Sequence, residues 1–82
     1  MHVAVDISLY PFKEDLIPPI LDVISRLKGY SSIDVATNPM STQLRGEYDQ
    51  VMAVLNTELK KSFEAEPKAV FVIKILNNPI AD

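Results

Sequence analysis

The chain has 82 residues, 48% of them hydrophobic, no cysteine, and a formal net charge of -3. That length admits one domain, residues 1–82, and a domain so small buries only a limited share of its surface. Disulfide and thiolate chemistry are excluded, and an acidic balance without a basic block argues against nucleic acid as a partner.

From the N-terminus, Val3 to Tyr10 alternates strictly and predicts a strand. Val3, Val5, Ile7 and Leu9 line one face, and Ala4, Asp6, Ser8 and Tyr10 the other. Pro11 is expected to end it. Residues 15–28 predict a helix with an apolar stripe of Ile17, Ile20, Leu21, Ile24 and Leu27. Pro18 and Pro19 are tolerable in its first turn, where backbone N–H groups have no intrahelical partner. Asp15 is the expected N-cap and Gly29 the expected left-handed stop. Ser32 to Asn38 reads as a second strand, Asn38-Pro39-Met40 as a turn, and Thr42 to Glu47 as a third, unusually polar strand. A second helix is expected from Tyr48 or Asp49 to Phe63, its stripe being Val51, Met52, Leu55, Leu59 and Phe63. Ala69 to Leu76 is the last and most apolar strand.

The order βαββαβ predicts an α+β, ferredoxin-like sandwich: a four-stranded antiparallel sheet with two helices on one face. The first and third strands fall in the middle. Thr42, Leu44 and Gly46 then join Val3, Val5, Ile7 and Leu9 on the helix side. Asp6, Ser8 and Tyr10 lie with Gln43, Arg45 and Glu47 on the open side. A solvated sheet face can be polar without further purpose. Here the last strand is apolar on both faces, so a polar centre is rimmed by apolar residues, as in a pocket covered by a partner subunit.

Individual residues carry less. His2, the only histidine, sits at the N-terminal end and has no expected role. Asp6 and Glu47 offer a carboxylate pair for acid–base work, but no nucleophile accompanies them and Arg45 balances their charge equally well. Lys60, Lys61, Glu64 and Glu66 read as a solvated helix end. Gly46 implies a bulge or a close approach of backbone. With two glycines in the chain there is no phosphate-binding loop. No metal site and no cofactor is expected. No apolar run spans a bilayer and no leader is visible, so the expectation is a cytoplasmic protein without membrane insertion.

Ser8-Leu9-Tyr10-Pro11 with Asp15, followed by the run from Thr37 to Val51 through Ser41-Thr42-Gln43-Leu44-Arg45-Gly46, resembles the thiamine-binding YkoF-like family, also known as the MTH1187-like family. The closing run from Lys68 to Ile75 fits it too, so the resemblance covers essentially the whole chain. It implies a ferredoxin-like domain that assembles into homo-dimers or homo-tetramers. It also implies binding of thiamine or its hydroxymethylpyrimidine part, for transport or salvage, without an established catalytic activity. The ligand-side positions it implies are Ser8, Tyr10, Asn38, Ser41, Thr42 and Arg45, with Glu47 as a further member.

The chemistry of those side chains is compatible. Hydroxyls and amides match the ring nitrogens and amino group of an aminopyrimidine, and Tyr10 can stack on a flat ring. The ligand is expected between the open sheet face and the 38–42 loop. Asn38 and Ser41 are expected to matter more for binding than for stability. The alternative is a structural or regulatory homo-oligomer that binds another small metabolite or none. An enzyme using Asp6 and Glu47 is a third, weaker reading.

Overall fold

The protein is described from a computed structural model covering residues 1–77 and Pro79. The elements follow the order β1 (His2–Pro11), α1 (Ile17–Lys28), β2 (Asp34–Thr37), β3 (Thr42–Glu47), α2 (Tyr48–Ala65) and β4 (Ala69–Asn77). The four strands form one antiparallel sheet in the order β2-β3-β1-β4. This is the ferredoxin-like α+β architecture. Among the described residues no helix is long and apolar enough to cross a membrane.

The core lies between the sheet and the helices. Val3, Val5, Ile7 and Leu9 of β1 are buried there with Leu44 of β3, Val23 and Leu27 of α1, and Val51, Val54 and Leu55 of α2. Thr42 and Gly46 share that side, as period two requires. The register from Val3↔Gly46 to Ile7↔Thr42 is unbroken, so Gly46 marks no bulge. It marks a close approach. A Cβ there would stand 3.3 Å from both Ile33 Cγ2 and Val51 Cγ2.

Pro11 is the last residue of β1, where it pairs with Ala69, and the next N–H, of Phe12, donates to the Lys68 carbonyl at 3.0 Å. Other local expectations are corrected. Asp15 is not the N-cap of α1. Leu16 holds that position with a helical backbone and no side-chain cap bond, while Asp15 accepts one long bond, 3.4 Å, from Ile17 N–H. Asp15 therefore bonds the second N–H counted from itself, while the third is Pro18, which has none to give, and from Leu16 both positions are prolines. Gly29 is not left-handed either. Its φ is -75°, and its N–H donates to the Arg26 carbonyl at 3.2 Å, followed by Tyr30 N–H to the Leu27 carbonyl at 3.2 Å, in a tightened last turn.

The apolar faces of both helices are rotated from the expected stripes. In α1, Val23 and Leu27 are buried whereas Ile17 and Leu21 are exposed. In α2 the inward face includes Val54, Glu58 and Ser62, and Phe63 lies outside, edge-on to Phe71 with ring centroids 5.5 Å apart. Glu58 is 2% exposed. Its carboxylate accepts from Arg26 Nε and from the Tyr30 hydroxyl, each at 2.6 Å, and Arg26 also donates to Ser62 Oγ at 2.7 Å. Asp22 pairs with the same guanidinium, and Lys61 stands 3.6 Å from Glu58. A charge buried this deeply needs such a set of partners. At the end of the same helix Glu66 is not solvated as expected; it pairs with Lys13 at 3.1 Å and its side chain is 13% exposed.

Candidate functional site

β1 is longer than its neighbour β3. Pairing with β3 stops at Ile7↔Thr42, whereas pairing with β4 continues through Ser8, Leu9 and Tyr10 to Pro11↔Ala69. The β2–β3 hairpin turns at Pro39 and Met40 and leaves a notch in the sheet beside the last four residues of β1. Under that notch α1 presents a row of apolar side chains.

The result is a cavity of about 240 Å³. Ile7 to Tyr10 form one wall, Asn38 to Thr42 another, and Leu16, Ile20, Val23, Ile24 and Leu27 the floor, with Phe71 beside them. Because the notch passes through the plane of the sheet, residues from both faces of β1 reach it. The cavity therefore extends to the helix side and is not confined to the open face. Tyr10, at 54% exposure, and Met40, at 85%, form its outer rim. Among the described residues, none that lines it carries a charge.

The turn that bounds the notch is held by Asn38. Its Oδ1 accepts from Met40 N–H at 2.8 Å and from Ser41 N–H at 3.0 Å, and its own N–H donates to the Ser41 carbonyl at 3.1 Å. An Asn side chain bonding backbone two and three residues on is a strong turn device. Asn38 thus has clear structural work, contrary to the expectation from sequence.

Five of the seven residues named from sequence line this cavity: Ser8, Tyr10, Asn38, Ser41 and Thr42. Arg45 does not. It sits opposite Ala4 and lines a second depression, about 190 Å³, on the open sheet face with Asp6, Gln43, Lys74 and Leu76. Glu47 is farther away still, opposite His2, roughly 20 Å along β1 from Ser8 at the usual rise per residue. Its carboxylate caps α2, accepting from Tyr48 N–H at 2.7 Å and Asp49 N–H at 3.1 Å, and it pairs with the N-terminal ammonium at 3.1 Å. The Asp49 amide bond is the main reason its carboxyl sits below the usual range, with the ammonium and the Tyr48 amide adding to it. Among the described residues no group of three or more histidine, aspartate or glutamate side chains could hold a metal ion.

The sequence reading missed the apolar floor. Ile20 and Ile24 read only as stripe positions and Leu16 was not singled out, because a helix stripe does not record where the overlying strand stops.

The family model for thiamine-binding protein matches residues 5–79. The chain belongs to that family. A search of curated sequences finds no match. Among solved structures, a Streptococcus pneumoniae protein is similar with a TM-score of 0.88 at 23% identity, covering 98% of this chain and 90% of its own. A Thermotoga maritima protein provisionally named for thiamine biosynthesis or salvage gives 0.83 at 21% identity, covering 92% and 82%. A Methanocaldococcus jannascii protein gives 0.80 at 20% identity, covering 99% and 84%. At these identities the likeness concerns the fold. Within the family match fall both walls of the notch and all seven residues named from sequence.

Proposed function

We propose that this protein binds thiamine or its hydroxymethylpyrimidine moiety without converting it, in thiamine salvage or transport, as a homo-oligomer of one-domain chains. The observation that carries this reading is the notch: a small apolar cavity with hydroxyl and amide groups on one wall, in a chain of the thiamine-binding protein family. Ligand pockets commonly enclose about 300–1,000 Å³, so a cavity below that range suits one aromatic ring better than a whole cofactor. Walls without charge favour an unphosphorylated ligand. In this reading Ser8, Ser41 and Thr42, which line the cavity, hydrogen-bond the ring edge, and Tyr10 stacks at the rim. Arg45 and Glu47 act at a distance from this ring, through the open face or the α2 cap.

The open sheet face supports self-association. Val70, Val72 and Leu76 of β4 lie there, exposed, in line with Tyr10, Ser8 and Ala4. A second copy would remove that apolar strip from water. The same strip also favours the alternative, a structural or regulatory homo-oligomer that takes another metabolite or none.

Calorimetric titration with thiamine and with hydroxymethylpyrimidine, followed by mass spectrometry of the recovered ligand, tests the reading. A saturable signal with unchanged ligand is expected. Absence of binding by either compound would leave only the alternative, and a chemically altered ligand would make the protein an enzyme.

A further inference from the structure

The backbone of Leu9 has an unusual position. Along a strand, successive residues direct their N–H and C=O groups to opposite neighbours. Phe12 N–H donates to β4, at the Lys68 carbonyl, so the even-numbered residues of β1 serve β4. At the other end the Met1 carbonyl accepts from Tyr48 N–H at 2.8 Å, so the odd-numbered residues face the β3 side. Both ends give the same phase. Leu9 and Pro11 therefore turn their main-chain groups toward the notch.

This phase explains why proline is accepted at the end of a central strand. The N–H that Pro11 lacks would have pointed where there is no strand to receive it. Leu9 keeps its N–H. The residue that register would place opposite Leu9 is Met40, but Met40 lies in the hairpin turn and its N–H is held by Asn38 Oδ1. No turn or loop hydrogen bond among the described residues reaches Leu9. Yet Leu9 is only 7% exposed and lines the cavity. Buried main-chain donors and acceptors are almost always paired, because leaving one unpaired is costly.

We propose that the Leu9 N–H and C=O are the ligand-recognition edge of the notch, standing in for the pairing that β3 does not supply. The matching ligand edge is an acceptor beside a donor on a flat ring. An aminopyrimidine has this, its ring nitrogen accepting from Leu9 N–H while the adjacent amino group donates to the Leu9 carbonyl. The proposal rests on the pyrimidine-binding reading above and assigns its recognition to main chain. Ser8, Ser41 and Thr42 then refine a fit whose central contacts are independent of side-chain identity.

The test is an amide-to-ester replacement at Leu9, which removes the N–H and leaves every side chain in place. An 82-residue chain is within reach of chemical synthesis. Because that N–H makes no ladder bond, the thermal transition should fall only slightly below that of the synthetic parent, through the weaker Ser8 ester carbonyl on the β4 side. Affinity for hydroxymethylpyrimidine should fall about tenfold or more, the loss expected for one buried hydrogen bond. In the parent, the Leu9 amide proton should exchange with solvent more slowly once the ligand is bound. Equal affinities in ester and parent, or an exchange rate at Leu9 that ignores bound ligand, would overturn the main-chain assignment and leave pyrimidine binding standing. A parent that binds no pyrimidine would overturn both.

Discussion

The Arg26 guanidinium meets the Glu58 carboxylate at 2.6 Å across 32 residues of sequence, and through this pair α1 and α2 are joined by charge as well as by packing. Replacing Glu58 by alanine would leave the guanidinium with Asp22 and Ser62 alone and deprive the Tyr30 hydroxyl of its acceptor. Breaking a fully buried pair costs about 3–5 kcal/mol. The Arg26 side chain keeps 23% exposure and can reach water, so the expected loss is smaller, about 2–3 kcal/mol. Urea unfolding measures it. A loss under about 0.5 kcal/mol, the usual range for surface changes, would show that the network contributes little.

The same carboxylate predicts the response to pH. Burial alone would raise the Glu58 pKa, but hydrogen bonds from Tyr30 and Arg26 and the charges of Lys61 and Arg26 outweigh it and hold the group below its usual range. Its contribution is thus complete above the ordinary glutamate pKa of about 4.3 and is lost as pH falls through the lower folded value. Tyr30 behaves oppositely. The hydrogen bond to Glu58, with burial and the Glu58 charge, raises its pKa against the pull of Arg26. Its contribution is complete below about pH 10 and disappears as pH rises through the folded value. Glu47 adds to the acid limb in the same sense as Glu58. Unfolding curves across pH should show a shallower acid limb in Glu58→Gln. An acid limb parallel to the parent's would assign the effect to other groups.

Gly46 is fixed by packing. In Gly46→Ala the new methyl meets Ile33 and Val51 side chains, and overfilling a packed core costs about 1–3 kcal/mol. Chemical denaturation should show that loss. Unchanged stability would mean that Ile33 and Val51 yield without strain.

Asn38 and Ser41 should separate stability from binding. Asn38→Ala removes the acceptor of two turn hydrogen bonds and should lower stability by about 1 kcal/mol, while also weakening hydroxymethylpyrimidine binding as the notch loses its shape. Ser41→Ala keeps the main-chain bonds of the turn and should weaken binding with little change in melting temperature. If Ser41→Ala binds as tightly as the parent, its hydroxyl is outside the recognition set.

Val72 tests the proposed self-association. It is 49% exposed on the open face, in register with Ser8. Val72→Glu should shift the sedimentation profile toward the monomer and leave the circular dichroism spectrum unchanged. An unaltered oligomer would move the contact away from β4.

Much of this architecture was legible because the strands carry clean alternation and the order of elements could be read from it. Alternation over Val3 to Leu9 identified the helix side of β1, and Thr42, Leu44 and Gly46 followed with the same phase. The inward face of α2 was not legible, since Glu58 and Ser62 occupy core positions and break the apolar pattern that periodicity depends on. Asp15 was read one residue too early as the cap: the helix starts at Ile17, and Asp15 keeps one long bond to that N–H while Pro18 and Pro19 offer no donors. At the site, the hydroxyl and amide residues around the turn could be picked out as a group. Their grouping in one cavity depends on the ladder between β1 and β3 stopping at Ile7, a length relation that no single segment of sequence expresses.

Because the notch is bounded by the tip of the β2–β3 hairpin, its size is counted in hairpin residues. Adding two residues to each arm would keep every side chain on its present face, since inside and outside alternate with period two. The lengthened β3 would then pair with Leu9 and fill the cavity with backbone. Shortening each arm by two would instead bare a further stretch of β1, down toward Ile7. Neither change alters a residue of the buried core. Insertions and deletions in one surface turn could therefore create, resize or abolish a receptor site while the remainder of the molecule stays as it is, which makes hairpin length the natural variable for redesigning what this scaffold admits.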